Sequence, residues 1–211
     1  MFLKNGTALR ILLFSDVHCS EPACHALVEK SLDVNFVIGA GDLAHVRRGL
    51  DISISILKAI DKPTILVPGN NESERELQTA IACWDAAVVL HGSGIEICDI
   101  PFYGIGGGIP VTPFGDWSYD FSEREARAML SDLPSGAILV SHSPPQGCVD
   151  VSSSGVSLGS ASVREAIIDK HPLLVVCGHI HESAGRHAML GRTPVVNAGP
   201  GGVVWNLDTS E

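Results

Sequence analysis

Residues 9–18 read Leu-Arg-Ile-Leu-Leu-Phe-Ser-Asp-Val-His: an apolar run that stops abruptly at Asp16 and His18. Its length fits a buried strand better than a helix, and the polar pair falls at the C-terminal end of that strand. The same phrase returns along the chain. Val34–Gly39 runs into Gly41-Asp42 and Thr64–Val67 into Gly69-Asn70. Ala137–Val140 runs into His142, and Leu173–Val176 into Gly178-His179-Ile180-His181. Helical patterns fill the gaps at Pro22–Leu32, Gly49–Ile60, Glu72–Cys83, Ser122–Leu133 and Ser162–Lys170. Strands alternating with helices predict βαβ units around a largely parallel, buried sheet, an α/β fold.

Three helix starts carry a Ser-x-x-Glu capping box: Ser73 with Glu76, Ser122 with Glu125, and Ser162 with Glu165. From Ala87 to Gly108 the pattern changes to short strands broken by glycine. The tail, Arg186 to Leu207, predicts hairpins turning at Gly191 and at Gly199–Gly202. No repeat is visible, and the Ser/Gly-rich stretch Ser152–Ser162 reads as an internal loop. One domain over residues 1–211 is expected.

In open parallel sheets, ligands bind beyond the C-terminal ends of the strands. Five strand ends here deliver Asp16, His18, Asp42, Asn70, His142, His179 and His181 to one rim. Any one of these residues alone is ordinarily a cap or turn residue. Five strand ends all furnished this way need another reason, and oxygen donors mixed with imidazoles suit divalent Mn, Fe, Zn, Ni or Co. In Asp16-x-His18 and His179-x-His181, a two-residue step along an extended segment would let both side chains converge.

The bulk properties are those of a folded, acidic protein: 45% hydrophobic and 18% charged residues, with 24 acidic against 14 basic and a net charge of −10. Such a surface repels a phosphate backbone, which counts against nucleic acid as a partner and against a nuclease. A small phosphorylated substrate stays compatible, since bound cations reverse the local field. The six cysteines form no Cys-x-x-Cys pair and read as reduced thiols of a cytoplasmic protein. The apolar patch Ile11–Phe14 is too short for a signal peptide or a membrane span.

Asp16-Val-His18, Gly41-Asp42, Gly69-Asn70-Asn71-Glu72, Ser141-His142 and Gly178-His179-Ile180-His181 resemble, in order, the five motifs of the calcineurin-like metallophosphoesterases. The resemblance runs from residue 11 to about residue 200, with spacings like those of small single-domain bacterial members. Gly178-His-Ile-His-Glu182 and Val196-Asn-Ala-Gly-Pro200 fit the same group. The resemblance implies a four-layer αββα sandwich of mixed sheets with two divalent metal ions at the strand ends. By motif, Asp16, His18 and His181 would hold one metal, and Asn70, His142 and His179 the other. Asp42 would bridge them. A hydroxide shared by the metals would then attack a phosphodiester, nucleotide-like among others, or a phosphomonoester. The rival reading is a protein of this fold that binds nucleotide or partners without turnover.

One position departs from the pattern. The family usually reads Gly-Asn-His-Asp or Gly-Asn-His-Glu, and Asn71 stands where the histidine belongs. The resemblance gives that histidine the task of stabilising the transition state and protonating the leaving group. An amide can donate a hydrogen bond to a phosphate oxygen but gives up no proton near neutral pH. His45, three residues past Asp42, either replaces the missing acid or is a solvated loop residue beside Arg47 and Arg48, which themselves either meet substrate phosphate or are simply solvated.

Two other motif matches fail on context. Gly155-Val-Ser157-Leu-Gly159 spells a nucleophile elbow but lacks the preceding strand. Gly104-Ile-Gly106-Gly-Gly108-Ile109 begins like a dinucleotide fingerprint and ends wrongly. Its glycines suit a loop passing close to the site, with Pro113, Phe114 and Trp117 either facing substrate or packing as a surface loop.

Overall fold

The computed structural model describes residues 9–207; residues 1–8 and 208–211 of the expected domain lie outside the described residues. The first sheet is built from parallel strands β1 (Leu9–Phe14), β2 (Phe36–Gly39), β3 (Thr64–Leu66) and β4 (Ala87–Val89), with β11 (Val203–Leu207) antiparallel beside β1. The second has the order β5-β6-β7-β8-β10-β9, from β5 (Ser93–Ile97), β6 (Ile100–Ile105), β7 (Ile138–Ser141), β8 (Leu174–Cys177), β9 (His187–Leu190) and β10 (Thr193–Asn197).

Strand periodicity sorts the apolar residues into three packed layers. Ile11 and Leu13 of β1 join Phe36, Ile38, Phe102, Val140 and Val176 in a core between the two sheets. Their alternates Leu12 and Phe14 point outward, under helices α1 (Glu21–Ser31), α2 (Leu50–Leu57) and α3 (Glu74–Ala80). On the far side, Leu139 and Val175 are covered by Ala126 of α4 (Glu123–Met129) and by Val163 and Ile167 of α5 (Ala161–Lys170). Both faces of the central strands are thus buried, which is why they read as unbroken apolar runs. The arrangement is the expected αββα sandwich of mixed sheets.

Helix starts follow their caps in two cases of three. Ser73–Glu76 and Ser122–Glu125 form complete capping boxes. At α5 the expectation fails: the N-cap is Ser160, and Glu165 instead pairs with Arg127 at 2.8 Å. The carboxylate at this helix start belongs to Glu123 of α4, accepting from the Ala161 and Ser162 N–H groups at 2.8 Å each. Packing of α4 against α5 brings a distant acid to donors that a local one would otherwise satisfy.

The tail is corrected too. β9 and β10 form the expected hairpin at Gly191, but after Gly199–Gly202 the chain crosses to the other sheet and β11 pairs with β1. Leaving the second sheet closes the open edge of β1. Among the described residues, no helix is long and apolar enough to cross a membrane.

Candidate metal centre

All seven strand-end residues singled out by sequence meet at one rim. Ligand atoms of Asp16, His18, Asp42 and His181 lie within 4.8 Å of one another, and so do those of Asp42, His142 and His179. Asp42 belongs to both groups: its Oδ2 is 3.6 Å from His18 Nε2 and its Oδ1 is 3.5 Å from His142 Nε2. Asn70 joins the second group, with Oδ1 3.2 Å from His142 Nε2.

The segments carrying these residues are not extended, contrary to expectation. Asp16, His18, Asp42 and His179 have φ of 56°, 43°, 57° and 66°. Left-handed backbone costs a side-chain-bearing residue on the order of 1 kcal/mol, and it concentrates where function fixes geometry. Here it turns each strand end back so that neighbouring side chains face one point. Close approach explains the glycines of Gly69-Asn70 and Gly178-His179. A Cβ on Gly69 would overlap the Asp42 carboxylate, and one on Gly178 would lie 2.5 Å from Asp16 Oδ2.

Hydrogen bonds orient the donors. His18 Nδ1 lies 3.0 Å from the Ala44 carbonyl and His142 Nδ1 2.7 Å from the Ala40 carbonyl. A carbonyl only accepts, so these nitrogens carry the protons, and in the neutral rings each Nε2 presents a lone pair inward. Yet His18 Nε2 faces His181 Nε2 at 3.1 Å, and His142 Nε2 faces oxygens of Asn70 and Asp42. Lone pairs set against lone pairs repel, so either a proton on one partner, as His181 Nε2 can carry, or a bound cation must lie between them. The donor set fits a pair of divalent metals sharing one carboxylate.

The electrostatics agree. Burial, followed by the Asp16 carboxylate, pushes Asp42 up, against the pull of His142 and two hydrogen bonds from Asn71. Burial opposes a charged His142, but Asp42, Asp16, the Ala40 carbonyl and Glu72 outweigh it and push the imidazole up. Burial and then the neighbouring imidazoles hold His179 well below its ordinary value. The surrounding cavity, about 690 Å³, has Asp42 and Glu182 in its wall and no Lys or Arg among the described residues that line it. Acidic side chains thus stand here beside imidazoles rather than beside a Lys or Arg.

The departing position has a defined place. Asn71 Nδ2 donates to Asp42 Oδ2 at 2.7 Å, its backbone N–H donates to Asp42 Oδ1 at 2.9 Å, and its Oδ1 accepts from the Val46 N–H at 2.7 Å. The side chain is thereby locked, with its amide turned to the shared carboxylate. His45 lines the same cavity, its ring 5.7 Å from that of His18. Arg47 is drawn away into a 2.7 Å ion pair with Glu76. Pro113, Phe114 and Trp117 line the cavity, while Ser157 of the rejected elbow sits in a loop, hydrogen-bonded to Asp150.

Three supporting residues carried no assigned role in the sequence. Glu72 accepts from the N–H groups of Gly69, Ala44 and Leu43 at 2.8, 2.9 and 3.3 Å, clasping two ligand loops. Burial and the adjacent Asp42 push its carboxyl up to about 7, against the pull of those amides. Asn197 Nδ2 donates to the Gly178 and Ile180 carbonyls at 3.1 Å each, fixing the histidine loop. Ser118 Oγ accepts from Asn70 Nδ2 at 2.9 Å, which turns Asn70 Oδ1 toward His142. Glu72 and Asn197 lie within quoted motifs and could have been suspected; Ser118 has no local signal.

A family model described as calcineurin-like phosphoesterase matches residues 9–183. No curated protein matches the sequence. Among solved structures, TT1561 of Thermus thermophilus superposes with a TM-score of 0.75 at 21% identity, covering 95% of this chain and 100% of that one. A dimetal phosphatase from Danio rerio gives 0.59 at 14% identity, covering 90% and 86%. The phosphopantetheinyl hydrolase PptH of Mycobacterium tuberculosis gives 0.57 at 14% identity, covering 92% and 90%. At such identities these likenesses speak to the fold.

Proposed function

The chain belongs to the calcineurin-like phosphoesterase family, and from that premise we propose that it hydrolyses phosphodiesters, with phosphomonoesters as the alternative substrates, at two divalent metals. One observation carries this reading: two groups of inward-facing donors that share Asp42. Asp16, His18 and His181 would hold one metal, Asn70, His142 and His179 the other. Metals held so lower the pKa of water and offset charge building on the phosphoryl oxygens.

The protein's own residues supply orientation. Asn71 holds Asp42 in place, Ser118 aims Asn70, and Glu72 keeps the two ligand loops in register. His45 is the imidazole on the cavity wall outside the two donor groups, and we assign it to the leaving group in place of Asn71.

The test is metal content together with turnover of bis(p-nitrophenyl) phosphate after reconstitution with Mn, Fe, Zn, Ni or Co singly. Two metals per chain and turnover abolished by chelation are expected. Asp42→Asn should lose both. Bound metals without turnover for any phosphoester would favour the non-catalytic reading, which Asn71 in place of histidine suggests.

A further inference from the structure

A phosphoryl group needs only a small part of a 690 Å³ cavity, which is of a size to enclose a whole small ligand. Apart from the candidate ligands, the wall carries a group of apolar side chains: Val111, Pro113, Phe114, Trp117, Leu158 and Ile180. Phe114 and Trp117 stack on each other, centroids 5.6 Å apart and planes 13° from parallel, and Phe114 is 51% exposed. The exposed Phe114 ring leaves apolar surface in water that a further flat group would cover.

The pair is held at a fixed offset from the candidate ligands. Thr112 donates to Asp120 Oδ2 through its N–H at 2.8 Å and its hydroxyl at 2.6 Å, and Ser118 Oγ donates to Asp120 Oδ1 at 2.7 Å. Those bonds pin the loop to itself. Two more pin it to the site: Asn70 Nδ2 to Ser118 Oγ, and the Tyr119 N–H to the Asn70 carbonyl at 2.9 Å. One residue therefore faces the metals with its side-chain oxygen and anchors the aromatic loop with its amide and carbonyl. With no Lys or Arg in the described wall, no side-chain cation there would receive a second phosphate.

We propose that this loop is an aromatic shelf selecting phosphoesters that bear one phosphoryl group and, on the arm retained after hydrolysis, a flat, uncharged substituent, aryl or nucleobase in size. The inference rests on the phosphoesterase reading. It names what stands beside the phosphorus: a ring continuing the Phe114–Trp117 stack within the same cavity.

The experiment keeps the leaving group constant as p-nitrophenolate and varies the other arm. Methyl, benzyl and thymidine 5′ diesters, and a thymidine 5′ diester carrying an added 3′-phosphate, are compared on the full-length, metal-reconstituted protein. The benzyl and thymidine esters should exceed the methyl ester in kcat/KM by about tenfold or more, mostly through KM. The 3′-phosphate should lower that gain. In Phe114→Ala/Trp117→Ala the benzyl-to-methyl ratio should fall toward one. Leu158→Ser, elsewhere in the cavity lining, should reduce it without changing the loop's own sequence. Equal rates for all arms, an unchanged ratio in both variants, or preference for the added phosphate would overturn the shelf while leaving the phosphoesterase reading intact. Hydrolysis of none of these diesters, nor of p-nitrophenyl phosphate, with any metal would overturn both.

Discussion

At residue scale, the substitution that matters most is the smallest in appearance. An amide at position 71 does what a short polar side chain does well: it bridges the Asp42 carboxylate and the Val46 N–H while staying buried. A histidine would carry a titrating proton into the cavity. For Asn71→His added to His45→Ala, compared with His45→Ala alone, we expect an alkyl phosphodiester to gain more in kcat/KM than an aryl one, because an alkoxide needs a proton to leave and a phenolate does not. General acids contribute about 10²–10⁴-fold, which bounds the gain. Steady-state kinetics on the two esters decides it; an equal response from both would remove position 71 from leaving-group chemistry. The motif made this residue visible in the sequence, but its hydrogen-bond partners were not, since Val46 approaches only through the fold of the loop after Asp42.

At the scale of elements, the junction of α4 and α5 makes the most specific prediction. Burial works against an ionised Glu123, but hydrogen bonds from Ser162, Ala161 and Ser160 prevail and hold its carboxyl below the ordinary range. A depressed carboxylate pKa contributes stability that is present above the unfolded value, about 4.3, and is lost as pH falls through the folded value. Glu123→Gln should therefore lower Tm at pH 7 and do so progressively less below about pH 4, since protonation removes the same acceptor from the wild type. Solvent reaches this carboxylate, so the cap is worth about 1 kcal/mol, or roughly 2–4 °C in Tm. Thermal unfolding from pH 3 to 7 reads the effect, and a pH-independent difference would deny the charge its role. Sequence placed α5 to within a residue and the start of α4 likewise, but carried α4 four residues past its end at Met129. It chose the wrong cap for α5 because Ser162–Glu165 satisfies the local rule, and only contact between helices decides which acid is nearer.

For the whole molecule, stability rests on the core between the sheets. Phe102 of β6 is 1% exposed and its ring centre lies 5.8 Å from that of Phe36 of β2, so it binds one sheet to the other. Phe102→Ala should cost about 3–5 kcal/mol by lost transfer and an unfilled cavity. Because the proposed metal ligands come from strands of both sheets, metal affinity should fall with it. Urea unfolding and metal titration measured together would show whether the two losses are linked; full metal affinity in the variant would mean that the rim holds itself without the core.

The sequence alone determined the alternation of strands and helices, the burial of both sheet faces, and the seven polar residues at strand ends. These are legible because side-chain periodicity and chain breaks are local properties. Only the tertiary structure decided that the strand ends turn through left-handed backbone, that β11 returns to β1, that Glu123 caps a neighbouring helix, and that Ser118 ties an aromatic loop to Asn70. Each of these depends on groups far apart in the chain becoming neighbours, and no local pattern records the distance between them.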